Sequence, residues 1–148
     1  MLNNLKILDF TTLLPGPFGT LLLADLGADI VHISRPNKAT ISLDSYLQRN
    51  KKSIVANLKD AGTVEKLKNL VNEYDIVIEQ FRPGVMERLG LGYEALKEIN
   101  PSIIYCSITG YGQTGPYRNR AGHDINYVAL AGIPSHSGNK KSGPPNLG

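Results

Sequence analysis

The chain has 148 residues, of which 41% are hydrophobic and 20% are charged, and its formal net charge is +3. That length fits one domain with a sizeable core. No apolar run approaches the roughly 20 residues that cross a bilayer, and the first residues run straight into a strand, without a signal-peptide pattern. The single cysteine, Cys106, excludes an internal disulfide. Its apolar surroundings predict a buried thiol in a reducing, cytoplasmic setting.

Basic residues are concentrated in the second quarter of the chain. A solvated surface is the usual explanation of such a run, and contact with the phosphates of a small ligand is the alternative. Nucleic acid is not expected, because aromatic residues are not interleaved along the run for stacking on bases. The six residues are Arg35, Lys38, Arg49, Lys51, Lys52 and Lys59.

Short apolar runs alternate with helical patterns along the whole chain. The predicted strands are 5–10, 29–33, 53–58, 75–79 and 103–108. The predicted helices are 15–26, 61–71 (capped by Asp60), 85–89, 93–99 and 122–131. Residues 37–48 lack a clear period and predict an irregular excursion.

This alternation predicts a doubly wound α/β fold, in which helices cover both faces of a mostly parallel sheet. Residues 1–134 are expected to form the α/β domain, and residues 135–148 a loop or linker. Five residues at strand centres are expected to be buried between the two helical layers. They are Leu8, Ile30, Val31, Val77 and Ile104.

The junction between the first strand and helix does not predict a dinucleotide site. Residues 11–17 lack the Gly-x-Gly-x-x-Gly pattern of Rossmann domains. The second strand is followed by Arg35, where an NAD site has an acidic residue for the ribose hydroxyl. A guanidinium there suits a phosphorylated ribose or stacking on adenine. A surface arginine packed on Pro36 explains the same pattern equally well.

The segment 122–127, Gly-His-Asp-Ile-Asn-Tyr, follows a strand and a glycine-containing loop. A histidine at such a junction lies where α/β proteins expose chemistry. Gly122 is expected to leave room for a ligand, and Asp124 to orient the imidazole. A simpler interpretation makes His123 a residue at a helix start, with Asp124 as the capping residue.

Together with the preceding Gly-Tyr-Gly-Gln-Thr-Gly at 110–115, this segment resembles the family III CoA-transferase group, and within it the α-methylacyl-CoA racemases. The resemblance runs along the whole chain and lies in the order and spacing of its pieces. The other matching segments are 13–18, 23–29, 35–36, 56–59, 81–90 and 100–105.

The resemblance implies the Rossmann-like amino-terminal part of that family's fold and a set of coenzyme A contacts. It implies His123 as a catalytic residue. It implies no metal and no separate cofactor, because coenzyme A is part of the substrate. The implied CoA contacts are Arg35, Ala56, Asn57, Leu58, Lys59, Arg82, Arg88, Gly122, Asp124, Ile125, Asn126 and Tyr127.

Two chemistries share the family's fold. A racemase removes and returns the α-proton of a 2-methylacyl-CoA thioester, and the near-neutral pKa of histidine suits His123 to one of the two proton transfers. A CoA-transferase instead passes CoA between carboxylic acids through an aspartyl anhydride. The racemase is favoured because the transferases need no histidine there. An alternative of another class is a CoA-binding chain without catalysis.

The resemblance also implies that the chain is an amino-terminal fragment. The family's catalytic aspartate is expected beyond Gly148, so the fragment alone is expected to be inactive. Family members form interlocked homodimers, and the fragment is therefore expected to keep an exposed apolar patch. The only expected partner besides a second copy is an acyl-CoA thioester, with no nucleic acid and no membrane.

Overall fold

The computed structural model describes residues 1–36, 44–136, 138, 139, 141 and 143. The chain forms two compact units, Met1–Ile108 and Thr109–Gly148. The boundary predicted at residue 134 lies inside the second unit.

The first unit contains a five-stranded sheet. Its strands are β1 (Lys6–Phe10), β2 (Asp29–Ser34), β3 (Lys52–Val55), β4 (Ile76–Glu79) and β5 (Ile104–Ser107). They lie in the order β3-β2-β1-β4-β5, and every neighbouring pair is parallel. The predicted parallel α/β architecture is confirmed. β3 ends at Val55, three residues before the predicted end, and residues 58 and 59 form a turn.

Helices follow the strands in the predicted order. Those of the first unit are α1 (Pro15–Asp25), α2 (Asp44–Leu47), α3 (Ala61–Val71), α4 (Val85–Arg88) and α5 (Tyr93–Ile99). The second unit contains α6 (Asp124–Leu130) and a 3-10 helix, Ile133–His136. The short α2 lies inside the excursion predicted as irregular, and Lys38 lies outside the described residues. The predicted cap of α3 is present, since the Asp60 carboxylate accepts the backbone N–H of Thr63 at 2.7 Å.

Each face of the sheet carries its own apolar core. Leu8, Val31 and Val77 belong to the larger core, together with side chains from α3, α4 and α5. Ile30 belongs to the smaller core, which Ala24 of α1 helps to fill. These four strand residues are buried, as the sequence predicts.

The predicted burial of Ile104 and Cys106 is wrong. Ile104 is 58% exposed, and the thiol of Cys106 is exposed as well. Both belong to β5, at the edge of the sheet, and Ile104 lies in register with Ile76 on the face of the smaller core. That core is filled from α1, which packs against β2. The same face at β5 therefore remains open in the first unit.

Helix α1 is apolar on its outer side as well as on its inner side. Its inner side chains, including Leu21 and Ala24, are buried. Leu14, Phe18, Leu22 and Leu26 recur every fourth residue on the outside, and each is between 44% and 53% exposed. Helices that are apolar all round normally have partners on both sides. This row is an exposed apolar surface of the kind that the sequence predicts.

No helix among the described residues is long and apolar enough to cross a membrane.

Candidate functional site

The parallel sheet brings several of the predicted CoA contacts to one edge. Because all strands run in the same direction, their carboxyl ends share that edge, and ligands of such folds bind there. Ser34 and Val55 lie in register at the ends of β2 and β3, so Arg35 and Ala56 follow side by side. Arg82 comes three residues after Glu79, at the end of β4.

The turn at residues 56–59 leaves two backbone donors open. The Ala56 N–H donates to Ser34 O at 2.9 Å, and the Lys59 N–H donates to Asn57 Oδ1 at 3.1 Å. The N–H groups of Asn57 and Leu58 have no partner among the described residues. They are therefore available to a ligand at this edge, and their contact with coenzyme A stays a prediction.

Arg82 lies exposed in a loop that is fixed at both ends. At its start, the Phe81 N–H donates to Glu79 Oε2 at 2.7 Å. At its end, Gly84 adopts a left-handed φ of 81° as the N-cap of α4. A Cβ at Gly84 would lie 3.2 Å from a guanidinium nitrogen of Arg88. Arg82 and Arg88 therefore belong to one loop-and-helix element.

The amino end of α1 is not an anion site, although it begins at the same edge. Pro15 and Pro17 have no N–H, and the Gly16 N–H donates to Gln80 Oε1 at 3.0 Å. The Phe18 N–H donates to Leu14 O at 2.9 Å. No first-turn donor remains for a pyrophosphate, which Rossmann domains bind at this place. The absence of the Gly-x-Gly-x-x-Gly pattern therefore coincides with a helix start that has no free N–H groups for a phosphate.

Only part of the basic run is open to a ligand. Arg49 pairs with Asp25, its Nε lying 3.2 Å from Oδ1. Lys52 Nζ lies 2.7 Å from Asp29 Oδ1. The expectation that no aromatic residue is interleaved with the run is wrong, since Tyr46 lies within it. One face of the Tyr46 ring is covered by the guanidinium of Arg49. Of the basic residues in the described part of this run, the two exposed ones without an ion-pair partner are Arg35 and Lys59.

Below this edge, Asp9 of β1 lies at the centre of a buried polar cluster. Its carboxylate accepts the Thr11 N–H at 2.8 Å and the Thr20 hydroxyl at 2.7 Å. His32 Nδ1 lies 3.5 Å from Asp9 Oδ2. Burial opposes ionisation, but the neighbouring His32 and the hydrogen bonds from Thr11 and Thr20 outweigh it and lower the pKa of Asp9 to about 2.

Lys51 completes this cluster from the connection before β3. Its ammonium donates to Pro17 O at 2.9 Å and to Thr20 Oγ1 at 2.7 Å. Burial lowers the pKa of Lys51, and the charge of Asp9 opposes that effect. Because Pro17 and Thr20 belong to α1, Lys51 fastens the β3 connection to the first half of that helix.

In the second unit, three tyrosines pack around the glycines that precede His123. The Tyr111 ring lies 5.8 Å from that of Tyr117 and 5.2 Å from that of Tyr127, both edge-on. A Cβ at Gly122 would lie 2.6 Å from the Tyr127 ring. The tyrosine ring therefore fills the space that a side chain at position 122 would need, and a ligand contact at Gly122 stays a prediction.

His123 is the N-cap of α6, and Asp124 is the first residue of the helix. The expectation that Asp124 caps the helix is therefore wrong. The His123 N–H donates to Asn126 Oδ1 at 2.8 Å, so the carboxamide holds the start of α6. His123, Asp124, Ile125 and Asn126 are exposed, whereas Tyr127 is half-buried.

The predicted site residues thus fall into two groups. Arg35, residues 56–59, Arg82 and Arg88 belong to the first unit, and residues 122–127 belong to the second. A common crevice for His123 and the arginines stays a prediction. No cluster of metal-ligating side chains occurs in the part of the chain that the structure describes.

Comparison with known proteins decides the family. The model of CoA-transferase family III matches residues 2–148, nearly the whole chain. The chain belongs to CoA-transferase family III.

Relatives within family III carry out two different reactions. The chain is 43% identical to the succinyl-CoA:glutarate CoA-transferase of Homo sapiens, over 97% of this chain and 36% of that protein. It is 41% identical to the alpha-methylacyl-CoA racemase of Homo sapiens, over 97% of this chain and 37% of that protein. A CAIB/BAIF family protein from Brucella suis has a similar structure, with a TM-score of 0.89 and 36% identity. That match covers 99% of this chain and 43% of the other.

Two further residues at the carboxyl edge of the sheet, Glu79 and Gln80, were not among the site residues predicted from the sequence. Both are polar and come directly at the end of an apolar strand, which is the available signal. Their hydrogen bonds to Phe81 and Gly16 depend on which loops meet at β4. Lys51 was missed because it lies in a charged run that looked solvated.

Proposed function

We propose that the chain is the CoA-binding part of an acyl-CoA racemase, which removes the α-proton of a 2-methylacyl-CoA thioester and returns one to the opposite face. The single observation that carries the proposal is the exposure of His123 at the start of α6. A general base must reach its proton directly or through one water. An exposed imidazole meets that requirement, which a histidine sealed in the core does not.

The first unit would hold the coenzyme A portion. Arg35, Lys59 and Arg82 are exposed after the ends of β2, β3 and β4, and guanidinium and ammonium groups bind phosphates well. The free N–H groups of Asn57 and Leu58 suit the polar edge of adenine.

In the reaction, His123 would transfer one of the two protons. As the α-proton leaves, negative charge develops on the thioester oxygen, and hydrogen-bond donors near it lower the barrier. A second acid or base is needed on the other face of the substrate. The family resemblance implies an aspartate for that role, and the chain spans about 36% of the length of its first curated relatives, so the activity is proposed for the whole protein.

The second candidate function is CoA transfer between carboxylic acids. The observation in its favour is the 43% identity to a succinyl-CoA:glutarate CoA-transferase, against 41% to a racemase. Such a small difference does not separate the two reactions. A CoA-binding chain without catalysis is the third candidate, because the exposed Arg35, Lys59 and Arg82 suit binding whether or not a reaction follows.

Parallel assays of one preparation test the proposal. The intact polypeptide that contains these residues is incubated in D₂O with a 2-methylacyl-CoA, and deuterium at the α-carbon is followed by mass spectrometry. The same polypeptide is given succinyl-CoA and a dicarboxylic acid, and the new thioester is measured. Exchange without transfer supports the racemase, and transfer without exchange overturns it. CoA binding with neither reaction overturns the racemase and supports the third candidate, a CoA-binding chain without catalysis.

A further inference from the structure

The carboxylate of Glu79 is buried directly beneath the loop that presents Arg82. Glu79 is the last residue of β4 and is only 4% exposed. Its Oε2 accepts the Phe81 N–H at 2.7 Å, and Glu79 lies in register with Ser107 of the neighbouring strand. The carboxylate therefore connects the end of the sheet to the first residues of the loop.

The chain on either side of Arg82 is held, while the arginine itself is not. Gln80 is tied to α1 through the Gly16 N–H, and the Phe81 ring packs against the larger core. After Arg82, the Val85 N–H donates to Arg82 O at 3.1 Å, which closes the turn into α4. The side chain of Arg82 is exposed, with no ion-pair or hydrogen-bond partner among the described residues.

We infer that Glu79 is a positioning residue, which fixes the backbone of residues 80–82 so that the Arg82 guanidinium meets a phosphate of coenzyme A. The inference rests on the proposed CoA-binding function and adds to it a residue that touches no ligand. Glu79 acts through the Phe81 N–H, which its buried carboxylate accepts at 2.7 Å. A buried hydrogen bond to a charged group is strong enough to order a short loop.

Burying the carboxylate of Glu79 costs desolvation free energy, and the hydrogen bond from the Phe81 N–H offsets part of that cost. Burial raises the pKa of Glu79, the neighbouring Ser107 and the hydrogen bond from Phe81 lower it, and the negative charge of Glu87 raises it again. The net direction is upward. An apolar residue would suit the surrounding core better, but it would leave the Phe81 N–H without an acceptor.

A double-mutant cycle on the intact polypeptide tests this role, with CoA affinity measured by isothermal titration calorimetry. Arg82→Ala is expected to raise the Kd for CoA about tenfold. Glu79→Ala is expected to raise it nearly as much, and the double variant no further, because the loop without its anchor no longer presents Arg82. Glu79→Gln keeps an acceptor for Phe81 and is expected to restore most of the affinity.

The control is Glu73→Gln, at an exposed glutamate just before β4, which is expected to leave Kd unchanged. If Glu79→Ala leaves Kd unchanged while Arg82→Ala raises it, or if the two effects multiply in the double variant, the positioning role is overturned. If Arg82→Ala itself has no effect, the proposed CoA contact fails and the inference fails with it. Thermal melting of each variant is recorded, and the cycle is run with Glu79→Leu, which fills the site but also leaves the Phe81 N–H without an acceptor, if Glu79→Ala does not fold.

Discussion

Lys51 Nζ lies 3.5 Å from Asp9 Oδ2, and both side chains are completely buried. Lys52, the next residue, pairs with Asp29 in an exposed bridge. Removing one member of a buried pair leaves an uncompensated charge, which typically costs about 3–5 kcal/mol. An exposed bridge contributes under about 1 kcal/mol. The two neighbouring lysines therefore form a matched comparison.

We expect Lys51→Met to lower the free energy of unfolding by about 3 kcal/mol or more and Lys52→Met by under about 1 kcal/mol. Urea denaturation of both variants measures the difference. The double variant Asp9→Asn/Lys51→Met is expected to recover part of the loss, because no buried charge remains unpaired. Equal effects of the two single lysine substitutions would show that the Asp9 cluster does not hold the fold together.

The lowered pKa of Asp9 predicts a loss of stability in acid. Its pKa falls from 3.8 to about 2 on folding. A carboxyl group with a lowered pKa stabilises the fold above the unfolded value, and that contribution disappears as the pH falls toward the folded value. The free energy of unfolding should therefore decrease between about pH 4 and about pH 2. In Asp9→Asn/Lys51→Met this part of the pH dependence should be absent, and an unchanged slope would contradict the assignment to Asp9.

Much of the sheet could be predicted from the sequence, because strand centres such as Leu8 and Val77 are apolar on any parallel sheet with two covered faces. Ile104 and Cys106 were predicted wrongly for a physical reason. Apolar character shows that a residue suits burial, but actual burial depends on whether a helix lies over that part of the sheet.

The candidate site was predictable to a similar degree. Arg35 and Arg82 directly follow strand ends, which a linear pattern reveals. Lys51 and Arg49 looked like members of one solvated run, yet one is buried against Asp9 and the other is paired with Asp25. Such partners lie far apart in sequence, and no local pattern identifies them.

Packing around Gly122 predicts a local defect when a methyl group is added. Its Cβ would lie 2.6 Å from the Tyr127 ring and 2.9 Å from the Tyr111 hydroxyl. We expect Gly122→Ala to cost about 1–3 kcal/mol, because rings or backbone must shift. Gly19→Ala is the control, since a Cβ there meets no atom within 4 Å and a helical alanine is favoured over glycine. Near-ultraviolet circular dichroism of the tyrosines should change in the first variant alone.

Arg35 and Arg49 provide a second matched pair, because both are exposed arginines of the basic run. Arg49 is occupied by Asp25, whereas Arg35 has no partner among the described residues. We expect Arg35→Gln to raise the Kd for CoA about tenfold and to weaken its dependence on salt. Arg49→Gln should leave the Kd within about twofold. If Arg49→Gln raised the Kd more than Arg35→Gln, the phosphates of CoA would not bind at Arg35.

Proton exchange by the His123→Ala variant tests the central claim most directly. The intact polypeptide and the variant are incubated in D₂O with each enantiomer of a 2-methylacyl-CoA, and α-deuterium is measured by mass spectrometry. Because each base serves one face of the substrate, exchange should be lost far more completely from one enantiomer than from the other. CoA affinity should be nearly unchanged, since the arginines of the first unit provide it. Undiminished exchange from both enantiomers in the variant would contradict a catalytic His123 and favour CoA transfer.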